Sequence, residues 1–366
     1  MPERPETSET PQLSAKTIPS LDGLRAVSIG LVLLGHGIGL GEHSFWFRAA
    51  FYHARLGVDV FFVISGYLIT SLLLKEKANF GSLSLRLFYI RRSLRILPAF
   101  VVFVGSVFAL NALGWTNIPS RQWIFVLTYT INFALPVAWD VGHLWSLSVE
   151  EHFYLLWPLA VRFAGIRTCV ALAVTAIFAG IFIRMLYVIT GYELVSSKLQ
   201  FATPYVVGPI AMGCLLAMAG PAVPRTILGA RRWMGPATLT AIIAILLMDA
   251  VTPGSAHRLR EIVINLLLTF VVARFVFLPT GLAAACLNSR PFSFVGKLSY
   301  SLYLWQELFM NPYSTAMICR FPWNVMGSCG LACASYFMIE TPFLKLRKDF
   351  RRTPFPAANA VMPSLA

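Results

Sequence analysis

The sequence predicts an all-α fold: a polytopic membrane bundle of about ten transmembrane helices with one short re-entrant or interfacial helix, both termini cytoplasmic. Three observations carry that expectation. Of 366 residues, 57% are hydrophobic and 13% charged, with mean hydropathy +0.69. A soluble domain carries about 25% charged residues, so this chain lacks the polar surface of a cytosolic globular enzyme, a disordered chain or a secreted disulfide scaffold. Apolar segments of near-spanning length recur along the chain, and basic residues concentrate in alternate connections between them.

Residues 1–17 are polar and rich in Pro, Thr and Glu, and read as a disordered cytoplasmic tail. They carry no basic leader, so the apolar run that follows reads as an uncleaved span. The expected spans are about 18–40, 57–74, 97–114, 143–161, 169–189, 203–219, 236–251, 261–278, 297–311 and 322–341. Residues 18–344 then form the membrane domain, and 345–366 a basic, Pro-containing tail. Segment 121–135 is apolar but short. If it does not cross, the loop from Lys75 to Arg95, the Arg225, Arg231 and Arg232 cluster and the basic C-terminal tail all face the cytoplasm. If it crosses, the last two move outside, against the positive-inside rule. The net charge of +14, from 30 Lys+Arg and 16 Asp+Glu, fits the same rule. No interleaved basic and aromatic patch points to nucleic acid. Six cysteines show neither a CxxC pair nor a histidine partner, so neither disulfides nor a metal site is expected.

Charged groups inside a span cost about 2.5–3.5 kcal/mol each on the lenient scale, so each needs a reason. The first span holds Asp22, Arg25 and His36. An eleven-residue separation ends about 20° past three full turns, which puts Arg25 and His36 on one face about 16 Å apart. A lone helical histidine is ordinarily a packing residue. Here Arg25 shares its face, and Gly35, Gly37 and Gly39 leave room for a helix or ligand to approach.

In the second span Asp59 is either an N-terminal acid favoured by the helix dipole or a functional group. Ser65-Gly66 marks either close packing or the passage of a thin ligand. The basic stretch Phe88 to Pro98 is either a topology anchor or a cytoplasmic phosphate site, since guanidinium groups bind phosphate bidentately. The stretch His143 to Tyr154 holds Glu150, Glu151 and two histidines at the start of a span. It reads as an interfacial cap, or as the carboxylate that makes His36 a better general base. Adjacent residues point about 100° apart, so only one of the two glutamates needs to face inward.

At these residues the chain resembles the acyltransferase-3 family of integral membrane O-acyltransferases. The matching pieces are Leu21 to Arg25 with His36, Gly57 to Leu68, Arg91-Arg92 with Arg95 and Pro98, Trp145 to Tyr154, Ser299 to Trp305, and Glu340-Thr341-Pro342. Their order along the chain makes the resemblance specific. It implies His36 as catalytic base with Arg25 in support, and Glu150, rather than Glu151, as the family's glutamate. It also implies Arg91 and Arg92 facing an acyl-CoA donor, with Arg95, Ser65 and Tyr67 as further donor contacts, and Glu340 as the closing acid of the core. The family often has histidine where this chain has Gln306, so the acceptor is expected to differ. No C-terminal hydrolase-like domain follows, which reads as the stand-alone type.

The leading functional expectation is acyl transfer in the bacterial inner membrane. Acyl-CoA, with acetyl as the default acyl group, is a co-substrate, and no tightly bound cofactor is expected. A hydroxyl of a carbohydrate, lipid-linked glycan or macrolide-like acceptor attacks the thioester with His36 as base. Arg25 lies too far along a straight helix to stabilise the oxyanion, and either holds the pantetheine or pyrophosphate arm or plays another part. The oxyanion donor is left open between a hydroxyl and an amide, and a covalent acyl-enzyme stays open too. The competing reading is a secondary transporter or flippase with Asp, Arg, His and Glu as a proton relay; a visible inverted repeat would favour it. A structural or sensor protein is the third reading, and it leaves His36 and Glu150 unexplained.

Overall fold

The computed structural model describes residues 20–37, 45–134, 136–190, 200–220, 222–251, 256–350 and 352. The expected N-terminal tail and Gly39 lie outside these residues. Among the described residues, every regular element is helical. The helices are α1 (Leu21–Gly37), α2 (Phe45–Phe80), α3 (Leu85–Ala112), α4 (Ser120–Leu127), α5 (Trp139–Gly142), α6 (Leu144–Phe163), α7 (Ile166–Thr190) and α8 (Thr203–Val206). They continue with α9 (Gly208–Met218), α10 (Ala222–Gly229), α11 (Arg231–Val251), α12 (Ala256–Phe277), α13 (Gly281–Leu287), α14 (Arg290–Phe309), α15 (Trp323–Ser335) and α16 (Thr341–Leu346). A helix lies at each of the ten expected spans.

The differences are physical. Helix α2 starts at Phe45, so Asp59 is in mid-helix and is no N-terminal acid. Helix α3 starts at Leu85, where the Ser84 hydroxyl caps it by accepting from the Leu87 amide. The basic stretch is therefore the first half of a spanning helix rather than a loop. The sixth span is split: Pro204 and Pro209 each open a helical segment, as prolines without an N–H do, and Val207 separates them. Among its described residues, segment 121–135 forms α4, ended by Thr128 and by Tyr129 at φ +53, and one 3-10 turn, Ile131–Phe133. Eight residues of helix reach about 12 Å, well short of a bilayer. A π-helical turn, Tyr336–Glu340, joins α15 to α16, and a 3-10 turn, Arg347–Phe350, folds the start of the expected C-terminal tail against α3. The rest of that tail, from 353, lies outside the described residues.

Three helices, Ala54–Phe80, Leu85–Ala112 and Ile166–Leu186, are long and apolar enough to cross a membrane. A fourth candidate is the pair formed by α12 and α13, bent by 85°. Helix α1 is short, at 17 residues, while α6 and α14 carry inward carboxylates that lower their hydropathy. The outer surface is apolar: Val101, Phe178 and Leu239 are each about 60% exposed, as on a surface that faces lipid.

Contacts between helices set their directions. Gly296 of α14 packs on the Asp22 backbone of α1, and Gln306 on His36, so these two run parallel. Ile96 and Phe103 of α3 meet Tyr300 and Trp305, adding α3 to the same set. Helix α6 runs the other way, because His143 meets Glu307 while Ser146 meets Tyr303. Helix α2 is parallel to α6: Ser65 meets Glu150, Thr70 meets Trp157 and Lys77 meets Val161. Thus α3 and α6 are antiparallel, with α4 and α5 between them at one end.

Two buried cores flank α2. One gathers α1, α3, α6 and α14 around Phe62, Phe103 and Leu304; the other joins α2 to α9 and α12 around Val63, Ile64 and Val272. Helices α2 and α9 cross where both lack a side chain. A Cβ on Gly66 would overlap the Ile210 carbonyl, and one on Gly213 the Val63 carbonyl. Gly66 is thus a close-packing residue of the kind membrane helices use, and only its neighbour Ser65 faces a cleft.

Candidate active site

A partly open cleft lies between α1, α2, α3, α6 and α14. Its lining includes Arg25, Arg92, Arg95, Glu150, Ser65 and Tyr154 toward one end, and Ser146 and Tyr303 toward the other. Along α6, Tyr154 and Ser146 are about 12 Å apart. Three guanidinium groups and one carboxylate line it, so the cleft carries an excess of positive charge.

Each group is held from a different helix. Arg25 pairs with Asp22 at 3.3 Å, one turn away on α1. The Arg92 guanidinium lies 3.9 Å over the Tyr154 ring, and its Nε is buried with no protein partner. Glu150 accepts a 2.5 Å hydrogen bond from the Ser65 hydroxyl, which itself accepts from Tyr154 at 3.3 Å. Glu150 therefore faces the cleft, whereas Glu151, one of whose carboxylate oxygens is also buried, does not line it. Glu150 does not orient His36.

Arg91 is not in the cleft. Its guanidinium reaches Glu76 at 2.9 Å and the Phe350 carbonyl at 3.1 Å. Arg92 is one residue on, about 100° around the helix, and faces inward; Arg95 follows it on the same side. Tyr67 is also outside the cleft, buried edge-on against Phe277 at 6.0 Å. Asp59 pairs with Arg55, one turn before it, at 3.4 Å, and Arg184 of α7 pairs with Glu261 of α12 at 3.0 Å. Glu340 is buried and accepts from the Ser301 hydroxyl of α14, placed there by the π-helical turn.

His36 lies beyond the far end of the cleft. Its Nδ1 is 2.9 Å from Gln306 Oε1, and its ring meets the edge of Trp139 at 5.5 Å. Beside it is a dyad that the sequence reading missed. His143 donates both its Nδ1–H (2.7 Å) and its backbone N–H (3.1 Å) to Glu307 Oε2. His143 is 2% exposed and Glu307 4%, and the His143 Nε2 has no protein partner. Tyr303 ties the dyad to the cleft, donating to the His143 carbonyl at 2.8 Å and meeting the Ser146 hydroxyl at 2.5 Å. The rule that singled out His36, a charge inside an apolar span, singles out Glu307 equally well. His143 stood in the quoted stretch, but its partner sits 164 residues away.

The arrangement is a cationic cleft leading to a pair of oriented imidazoles. Guanidinium groups bind phosphates, and an imidazole with one nitrogen held by an acceptor presents the other as a base. The guanidinium groups and the imidazoles are thus separated along the bundle axis, at about the 16 Å between Arg25 and His36.

Residues 18–339 match the profile of the acyltransferase-3 family, described as an acyltransferase domain. The chain is 29% identical to O-acetyltransferase OatA of Staphylococcus aureus (strain NCTC 8325 / PS 47), an alignment covering 93% of this chain and 59% of that protein. It is 30% identical to "Putative O-acetyltransferase SACOL0978" of Staphylococcus aureus (strain COL), over 90% of this chain and 57% of that one. The chain thus spans less than two thirds of the length of these relatives. No solved structure matches it.

Proposed function

On the premise that this chain belongs to the acyltransferase-3 family, which its match over residues 18–339 establishes, we propose that it is a membrane O-acyltransferase using acyl-CoA. Acetyl is the group it moves, in line with the names of its relatives, and the acceptor is a hydroxyl of a carbohydrate or glycoconjugate. The observation that carries the reading is the three-arginine cleft whose far end meets the His36 and His143 cluster. In this reading the CoA phosphates rest on Arg92, Arg95 and Arg25, and the pantetheine arm runs along Ser65 and Glu150 toward Tyr303. The acceptor hydroxyl loses its proton to His36 as its oxygen attacks the thioester carbonyl carbon. The tetrahedral intermediate collapses, the C–S bond breaks, and the thiolate takes the proton back from the imidazolium. The purified protein in detergent should release free CoA from acetyl-CoA only when a hydroxyl acceptor is present. Acceptor-dependent release that persists after Arg92 and Arg95 are both replaced by alanine would sink the donor assignment.

The same reading places residues 18–344 in the bacterial cytoplasmic membrane with ten crossings and both ends cytoplasmic. The alternating directions of the helices support it, since α3 and α6 are antiparallel with only short helices between them. Single cysteines introduced near residues 117 and 231 test it with a membrane-impermeant thiol reagent. The first should label from outside intact cells, and the second only after permeabilisation. Outside labelling near Arg231 would make 121–135 a crossing segment.

A further inference from the structure

We propose that Gln306 is a catalytic residue of this chain: its side-chain oxygen fixes the tautomer of His36, and its amide N–H₂ is the donor to the tetrahedral oxyanion. The inference rests on His36 as the general base.

Gln306 is fully buried on α14, one turn beyond the cleft-lining Tyr303 and on the same side of the helix. Its Oε1 lies 2.9 Å from His36 Nδ1. An amide oxygen only accepts, so this contact puts the proton on Nδ1 and the basic lone pair on Nε2. An amide has a fixed shape, so anchoring its oxygen aims its N–H₂ elsewhere. The Gln306 Nε2 is buried and has no hydrogen-bond partner in the protein. A buried donor left unmade is costly, a cost that is recovered where a ligand oxygen supplies the acceptor. Two further buried nitrogens have no protein partner: Trp139 Nε1, on a ring in contact with His36, and His143 Nε2 of the Glu307 dyad. The structure therefore has an amide donor beside the base, a position Arg25, about 16 Å down the helix, does not reach.

The chemistry balances. As the acceptor oxygen bonds to the thioester carbon, its proton passes to His36 Nε2 and the carbonyl π pair becomes the oxyanion. The Gln306 N–H₂ bonds that oxygen more strongly as its charge grows. When the C–S bond breaks, the pair returns to the carbonyl, and the thiolate takes the proton from Nε2.

Gln306→Glu tests this, because an ionised carboxylate still accepts from the His36 Nδ1–H and cannot donate. Among the described residues, Glu307 and His143 are the titratable groups whose charge reaches His36, and the added charge also favours the imidazolium. The kcat is therefore followed to about pH 9, where an ordinary imidazole is neutral. The expected result is a loss of about 10²–10³ in kcat that persists at alkaline pH, with the acetyl-CoA KM unchanged. Recovery of wild-type kcat at alkaline pH would reduce Gln306 to orienting His36, and would overturn the proposal. Gln306→Met, close to isosteric and apolar, guards against misfolding: with a detergent melting temperature near wild type it should lose kcat at least as severely. A Met variant with wild-type kcat would also overturn the proposal. His36→Ala is run alongside. If that variant stays active, the general-base reading itself has failed, which separates its failure from that of the amide donor.

Discussion

His36→Ala is expected to lose nearly all acyl transfer, by about 10²–10⁴-fold in kcat, the contribution of a positioned general base. The expectation rests on orientation as well as identity. Gln306 holds Nδ1 at 2.9 Å and Trp139 fixes the ring edge-on, so the imidazole is set in place before substrate arrives. Removing it leaves Gln306 Oε1 buried without its partner, a cost of about 1–3 kcal/mol. The thermal midpoint in detergent is therefore measured beside the rate. A folded variant that keeps more than half of wild-type turnover would end the assignment and move attention to His143. His143→Ala tests that dyad directly, but it also strips Glu307 of its partner, so a stability loss is expected with any loss of rate.

The second large effect is expected at Arg92. A charge-assisted hydrogen bond to a phosphate contributes about 1.5–3 kcal/mol, which at 1.4 kcal/mol per decade is roughly a 10- to 150-fold loss of donor affinity. Arg92→Lys should raise the acetyl-CoA KM, because lysine keeps the charge and loses the planar fork. Arg95→Lys should behave alike, from the same cleft wall. Arg91→Lys is the internal control. Its guanidinium is taken up by Glu76 and Phe350, so donor kinetics should stay near wild type while the C-terminal turn loosens. The opposite pattern, with Arg91→Lys raising KM and Arg92→Lys silent, would contradict the placement of the donor.

Much of the site could be read along the chain. An imidazole and a guanidinium eleven residues apart share a face wherever the segment is one uninterrupted helix, and α1 is one. Helical offset says only that one of Glu150 and Glu151 needs to face inward; the choice of Glu150 comes from the family resemblance, and Glu150 lines the cleft. The short reach of segment 121–135 was legible too, because length alone decides what spans a bilayer. The start of α2 was harder to place, since Arg48, His53 and Arg55 interrupt the aromatic stretch before Gly57 and lower its hydropathy.

Composition, helix positions and the polar residues that each apolar helix carries are local properties, and local rules of length, period and desolvation cost determine them. Pairings between helices are another matter. That Glu150 would meet Ser65 rather than His36, that His36 would meet Gln306, and that His143 would find Glu307 across 164 residues depend on how each helix is rotated about its axis. Close approaches decide that rotation: Gly66 against Ile210, Gly213 against Val63, Gly296 against Asp22. A rotation of about 100° exchanges one residue for its neighbour. Helical period alone leaves Arg91 and Arg92 equivalent. Only packing turned Arg92 to the cleft and Arg91 to Glu76.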